Sequence, residues 1–239
     1  MTAPKPHPTH PGGPPTRVPE GYRPIRDDSA PSSSILRHAS TALVEATVCV
    51  RDLELSILRP ADPEALLDED AFARDEFLPY WAELWPAGLA LAHAMPMQLR
   101  GVGVVELGCG LGLPSLVAAS RGADVVAVDW AGDAVALLRR NAERNGVLLR
   151  VEEADWRSYS GSFDLVLASD VLYERRNVAP LLDLLPRLAP EAIVALAGRP
   201  YEDEFLRGAD DCWRIGEVAP RVVRLTRIAP ADRPSRAGA

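Results

Sequence analysis

Three glycines alternate in Gly108-Cys109-Gly110-Leu111-Gly112, between the apolar run Val102 to Leu107 and a helical pattern from Pro114 to Ser120. A strand feeding such a loop into a helix lets the backbone turn tightly and approach a ligand closely. The helix presents its free N–H groups to the same ligand. Asp129 closes the next apolar run, about 20 residues past Gly108, where an acid accepts hydrogen bonds from ribose hydroxyls. Trp130 follows and can lie against a base. A dinucleotide fingerprint needs its last glycine at position 113, which is Leu113. Glu106, two residues before the first glycine, would also repel a pyrophosphate. An acid at that place suits a cationic ligand, unless it serves only to pair with an arginine. Asp155-Trp156 lies after a third short strand, and Asp155 either accepts from an adenine amino group or caps a turn.

The surrounding pattern supplies the elements. Leu43 to Val50 and Leu53 to Leu58 read as two strands of a hairpin, although Arg51-Asp52 is not a favoured turn. Pro63 to Asp75 reads as an acidic helical stretch. Pro86 is well placed as the first residue of a helix reaching about Met95. Strands then alternate with helices: Asp124 to Val128, Ala131 to Arg144 with an Asn145-Gly146 cap, Leu149 to Glu152, Phe163 to Ala168, Val178 to Leu188 and Ala192 to Leu196. A short helix at Glu202 to Gly208 precedes two strands, Arg214 to Val218 and Val222 to Ile228. The fold expected is α/β: a Rossmann-like, doubly wound, mostly parallel seven-stranded sheet with an N-terminal β-hairpin extension. One antiparallel strand is expected at the sheet edge. Ligands of such sheets bind at the carboxyl ends of the strands. The chain divides into a disordered Pro-rich leader (1–35), a hairpin and helical extension (36–100), a core (101–228) and a flexible tail (229–239).

Composition narrows the classes. The chain has 239 residues and a net charge of -8, with 47% hydrophobic residues. An acidic chain without a basic stripe is a poor grip for a phosphate backbone, so no nucleic-acid partner is expected. No apolar run approaches the roughly 20 residues that cross a bilayer, and the N-terminus lacks an apolar export signal. A cytoplasmic monomer is expected. Cys49, Cys109 and Cys212 are widely spaced and the four histidines show no ligand spacing, so neither a disulfide framework nor a metal site is expected. Lys5 is the only lysine.

Taken together, Val104 to Gly112 and Asp129 resemble the first and second motifs of the class I, seven-stranded methyltransferases that use S-adenosylmethionine. That cofactor brings a sulfonium and an ammonium and no phosphate, in keeping with Glu106. Pro79 to Gly88, with Trp81, Trp85 and Pro86, resembles the tryptophan-containing segment of the family 16 methyltransferases, and Asp170-Val171-Leu172-Tyr173 resembles their Asp-x-x-Tyr motif. Trp85-Pro86-Ala87-Gly88 and Gly198-Arg199-Pro200 are similar to runs in the subgroup acting on the β subunit of electron-transfer flavoprotein. The resemblance implies that Glu106, Gly108 and Gly110 line the methionine end of the cofactor and that Asp129 holds the ribose. It implies that Trp130 and Trp156 hold the adenine, that Trp81 closes over the cofactor, and that Asp170 and Tyr173 face the acceptor.

A lysine acceptor with a reference pKa of about 10.4 costs roughly 4–5 kcal/mol to deprotonate at neutral pH. A low-dielectric pocket lowers that cost, and acceptors near Asp170 can orient the neutral amine. Val171-Leu172 stands where enzymes acting on exocyclic base nitrogens carry two prolines, which argues against that class. Asp170 has a plainer alternative as a turn cap. Trp81 and Trp85, four apart, are placed to share a helical face. Arg199 either meets an acidic substrate or pairs with Glu202 or Asp203. The function expected is N-methylation of a lysine on a partner protein. The alternatives are a small-molecule amine N-methyltransferase and a non-catalytic binding module of the same fold.

Overall fold

The computed structural model describes residues 22–25, 42–66 and 79–229. Two sheets are present. The smaller is antiparallel and comprises β1 (Tyr22–Ile25), β2 (Leu43–Val50) and β3 (Leu53–Pro60), in that order. β2 and β3 form the expected hairpin, and Arg51 takes the left-handed backbone (φ 55°) that the unfavoured turn requires. β1 was not anticipated: it pairs with β2 from within the stretch expected to lack structure. Of the acidic stretch expected to be helical, Glu64–Leu66 form a single 3₁₀ turn, and the remainder, from residue 67 on, lies outside the described residues.

The larger sheet has seven strands: β4 (Gly103–Leu107), β5 (Asp124–Asp129), β6 (Arg150–Glu153), β7 (Leu165–Ser169), β8 (Glu191–Ala195), β9 (Trp213–Ala219) and β10 (Val222–Arg227). Their order is β6-β5-β4-β7-β8-β10-β9. All neighbours from β6 to β8 are parallel, and β10 is antiparallel to both β8 and β9. The antiparallel strand is therefore second from the edge, not the edge strand expected. The tight β9–β10 turn folds the last strand back between β8 and β9.

Among the described residues, five α-helices flank this sheet: α1 (Pro86–Ala94), α2 (Leu113–Ser120), α3 (Gly132–Arg144), α4 (Val178–Leu188) and α5 (Glu202–Ala209). Strand side chains alternate between two cores. Val104, Val125 and Leu167 pack with Leu91 of α1, Leu116 of α2 and Leu137 of α3. Val105, Val126 and Val166 pack with Leu181 and Leu184 of α4, Phe205 of α5 and Trp213. Burial on both faces explains why these strands read as continuous apolar runs.

The hairpin docks on α3 through two asparagines four residues apart. Asn141 Oδ1 accepts from Leu58 N at 2.8 Å, and its amide donates to Leu58 O at 3.2 Å. Asn145 repeats the pattern on Ser56, at 2.9 and 2.8 Å. One helical turn thus matches a two-residue strand repeat, and each amide stands in for a neighbouring strand's peptide group. Arg144 adds an ion pair to Glu45 at 2.5 Å.

Candidate active site

Strand order reverses between β4 and β7, and the carboxyl ends of β4, β5, β7 and β8 converge on one cavity. It is lined by the 108–112 loop, Asp129 and Trp130, Trp156, the 169–173 segment, Arg199, and a wall from Tyr80 to Trp85.

The first half of the cavity is made by the glycine loop. Gly108, Gly110 and Gly112 all have positive φ (65°, 50° and 76°). A Cβ on Gly110 would stand 3.1 Å from the carbonyl oxygen of Trp81, so the tryptophan segment closes directly over this turn. A Cβ on Gly112 would fall 2.2 Å from Leu138 Cδ1, which fixes how closely α3 approaches the loop. Asp129 holds the loop from below. Its Oδ2 accepts from Gly110 N at 2.8 Å, and its Oδ1 from Ala131 N at 2.9 Å. A carboxylate offers about four lone-pair sites, so both oxygens keep capacity for ligand hydroxyls.

Glu106 lies behind the loop, buried, and is not part of the cavity wall. Its Oε2 accepts from Ser115 N at 2.8 Å and from the Ser115 hydroxyl, while Oε1 is buried with no hydrogen-bond partner. Burial pushes its carboxyl up to about 8, and the Ser115 donors pull only partly the other way. Asp129 is also raised, again chiefly by burial. Among the described residues, neither acid has an arginine within ion-pair distance; the reading of Glu106 as an arginine partner is not what the chain adopts.

The second half is made by side chains from distant segments. Asp170 has φ 53° just past β7. Its Oδ1 accepts from Arg199 Nε at 2.8 Å and its Oδ2 from Arg199 Nη2 at 2.7 Å. Arg199 thus pairs with Asp170, and not with Glu202 or Asp203 as the sequence suggested. The reason lies in the backbone: Glu202 Oε1 is taken by the N–H groups of Ala197, Gly198 and Arg199, at 2.6, 2.8 and 2.9 Å. Arg221 completes Glu202 at 2.6 Å.

The Arg199 guanidinium lies 5.8 Å from the centre of the Trp85 ring. The Trp85 indole N–H donates to Tyr80 O at 2.6 Å, and the Tyr80 and Tyr173 rings are 5.5 Å apart. Asn177 is buried and donates to Val171 O at 2.9 Å, tying down the 170–173 segment. Burial pushes the Tyr173 phenol up to about 12, with Glu174 and Asp129 adding to it, so it stays protonated at neutral pH.

Several expectations change. Asp155 does not reach the cavity: it caps a 3₁₀ turn by accepting from Arg157 N at 2.9 Å, and its carboxylate pairs with the Arg157 guanidinium at 2.8 Å. Trp81 and Trp85 do not share a helix, because Trp81 lies in the 3₁₀ turn Tyr80–Ala82 and Trp85 is the extended residue before α1. Pro86 opens α1 as expected. Trp130 lines the mouth with half its surface exposed, while Trp156 is buried behind it. Tyr80, Ser115 and Asn177 escaped the sequence reading, and Glu202 was read only as a candidate partner of Arg199. For Ser115 the signal was present, since a hydroxyl in the first turn after a glycine loop faces that loop's preceding strand.

The model of a methyltransferase domain matches residues 104–189. The zebrafish protein N-lysine methyltransferase METTL21A (Danio rerio) is 31% identical over 154 residues, covering 57% of this chain and 70% of that protein. The chain belongs to the protein-lysine methyltransferase family that includes METTL21A. The electron transfer flavoprotein β-subunit lysine methyltransferase of Xenopus laevis is 32% identical over 135 residues, 53% of this chain and 54% of that one. The matches to the first curated relatives span 66%, 60% and 59% of those proteins' lengths. Among solved structures, the T. thermophilus 16S rRNA N2 G1207 methyltransferase in complex with AdoMet and guanosine shares the fold. It has a TM-score of 0.55 and 17% identity, over 89% of this chain and 52% of that one.

Proposed function

We propose that the protein transfers a methyl group from S-adenosylmethionine to a lysine side chain of a partner protein. The observation that carries this reading is the charge layout of the cavity. Glu106 and Asp129 are buried acids without arginine partners, beside a loop only glycine can form. A ligand with two cationic centres and a ribose meets both needs, whereas a dinucleotide brings a ribose but adds the negative charge of a pyrophosphate. The uncommitted lone pairs of the Asp129 carboxylate, which is in the cavity wall, fit the ribose of the same ligand. Glu106 would brace the loop at the methionine end through Ser115, Asp129 would take the ribose hydroxyls, and Trp130 and Trp156 the adenine.

The bound cofactor supplies an electrophilic methyl carbon. The chain's own residues then position and desolvate the acceptor. Tyr80, Trp85 and Tyr173 wall the acceptor end with aromatic surface that favours a methylated cation as product. Asp170 and the protonated Tyr173 hydroxyl orient the amine. A protein acceptor is supported by the names of the relatives. No helix among the described residues is long and apolar enough to cross a membrane, and we place the enzyme in the cytoplasm on its three free, widely spaced cysteines.

The test is transfer of labelled methyl from S-adenosylmethionine into a lysate lacking the enzyme, with an Asp170→Ala variant alongside. A discrete labelled protein band, absent with the variant, is the expected result. Label confined to the small-molecule fraction, or no label at all, contradicts it. With Lys5 the only lysine of the chain, self-labelling will not obscure the band.

A further inference from the structure

We propose that the Arg199–Asp170 pair keeps the acceptor end of the cavity without net charge, so that it admits an amine in its neutral form and turns away the ammonium. The inference rests on the methyltransferase reading above and adds to it the protonation state in which the acceptor enters.

A solitary carboxylate at position 170 would hold an ammonium as an ion pair and raise its pKa, which protects the lone pair needed for attack. Here both carboxylate oxygens already accept from one guanidinium, and the side chains of the pair are only 16% and 9% exposed. The pairing is built in before any acceptor arrives. Glu202 grips the three successive N–H groups that end at Arg199, and the guanidinium is laid against Trp85.

The other charged groups around this corner are compensated in the same way. Glu202 at the start of α5 is paired with Arg221, and Glu174 beyond Tyr173 with Arg176. Tyr80 faces the pair, and Tyr173 packs against Tyr80; burial raises both phenols, so they stay neutral. Glu83, on the wall before α1, is raised by burial and sees Arg59. Asp170, Glu174 and Glu202 at this end thus each pair with an arginine, whereas among the described residues the two buried acids beneath the glycine loop have none. Arg199 is a positioning residue: it acts on the acceptor through Asp170.

Two probes test this without knowledge of the protein substrate. Both are nitrogen analogues of S-adenosylmethionine whose methyl is replaced by a four-carbon arm. One arm ends in an amine, the other in a methyl group. Calorimetric titration in buffers of different ionisation enthalpy counts the protons exchanged, and the methyl-armed probe subtracts everything but the terminal amine. The wild type is expected to release close to one proton from that amine at pH 7. Arg199→Gln is expected to release none and to favour the amine-armed probe by about tenfold more than the wild type does, one pKa unit. Arg199→Lys should restore the release, and a second Asp170→Asn change should cancel the gain in Arg199→Gln.

Should Arg199→Gln fail to fold, the proton count of the wild type carries the test alone. Uptake of the amine by the wild type without proton release overturns the proposal. So does an unchanged preference in Arg199→Gln. Failure of the wild type to bind either probe overturns the cofactor reading itself, and the proposal with it.

Discussion

The two ends of the cavity are built by different means. The end at β4 and β5 is backbone: positive-φ glycines, a helix N-terminus, and two buried acids that accept from N–H and hydroxyl groups. The end at β7 and β8 is side chain: an acid and an arginine 29 residues apart, and aromatic rings brought from Tyr80, Trp85 and Tyr173. The first leaves its two buried acids without a guanidinium, and of the two only Asp129 stands in the cavity wall. The second pairs its acids with arginines and presents apolar walls. On the proposed reading, one cavity prefers a charged donor at one end and a neutral acceptor at the other, by deciding which carboxylates receive a guanidinium.

The contrast can be broken most severely at Gly112. Gly112→Ala meets both a left-handed backbone and a Cβ within 2.2 Å of Leu138. Strain and overpacking together cost about 2–5 kcal/mol, which lowers the melting temperature by roughly 5–15 °C. Thermal unfolding followed by circular dichroism reads this directly, and a variant as stable as the wild type would sink the packing argument.

A smaller effect isolates the uncompensated acid. The folded-state pKa of Glu106, about 8, lies above its unfolded value of 4.5. Its contribution to stability is therefore complete below the unfolded value and is lost as pH rises through about 8. Wild-type stability should fall between pH 5 and pH 9 more steeply than that of Glu106→Gln, which has no charge to bury. Parallel slopes for the two proteins would mean that Glu106 is not the titrating group. The smallest effect is expected at Asp155. Asp155→Ala loses a turn cap and an exposed ion pair, about 0.5–1.5 kcal/mol. Affinity for S-adenosylhomocysteine should stay within about twofold, because the carboxylate is outside the cavity. A tenfold loss by calorimetry would restore Asp155 to the site.

How much of this was legible in the sequence follows the same division. The glycine loop, Asp129 and the alternating elements are local patterns, set by neighbours in the chain, and each stands where the sequence put it. The acceptor end depends on tertiary pairing. Arg199 was visible after β8, but its partner was misread, because nothing local reveals that Glu202 is consumed by three backbone N–H groups. For Asp155 the sequence left two readings open, and the turn cap prevails because Arg157, two residues on, captures it locally. The place of β10 in the sheet also escaped, since a tight turn between two strands does not say which of them lies outermost.

The division of labour itself is tested by two substitutions measured together, Asp129→Asn and Asp170→Asn. Calorimetry gives their affinity for S-adenosylhomocysteine, and labelled methyl transfer into lysate protein gives their turnover. Asp129→Asn is expected to lose affinity by about 10- to 100-fold, the scale of one or two buried charged hydrogen bonds. Asp170→Asn is expected to keep affinity within a few-fold while transfer falls by at least about 100-fold, the scale of a group acting at the reacting centre. Equal losses of affinity in both variants would contradict the account, because the cavity would then have one undivided site and not a donor end and an acceptor end.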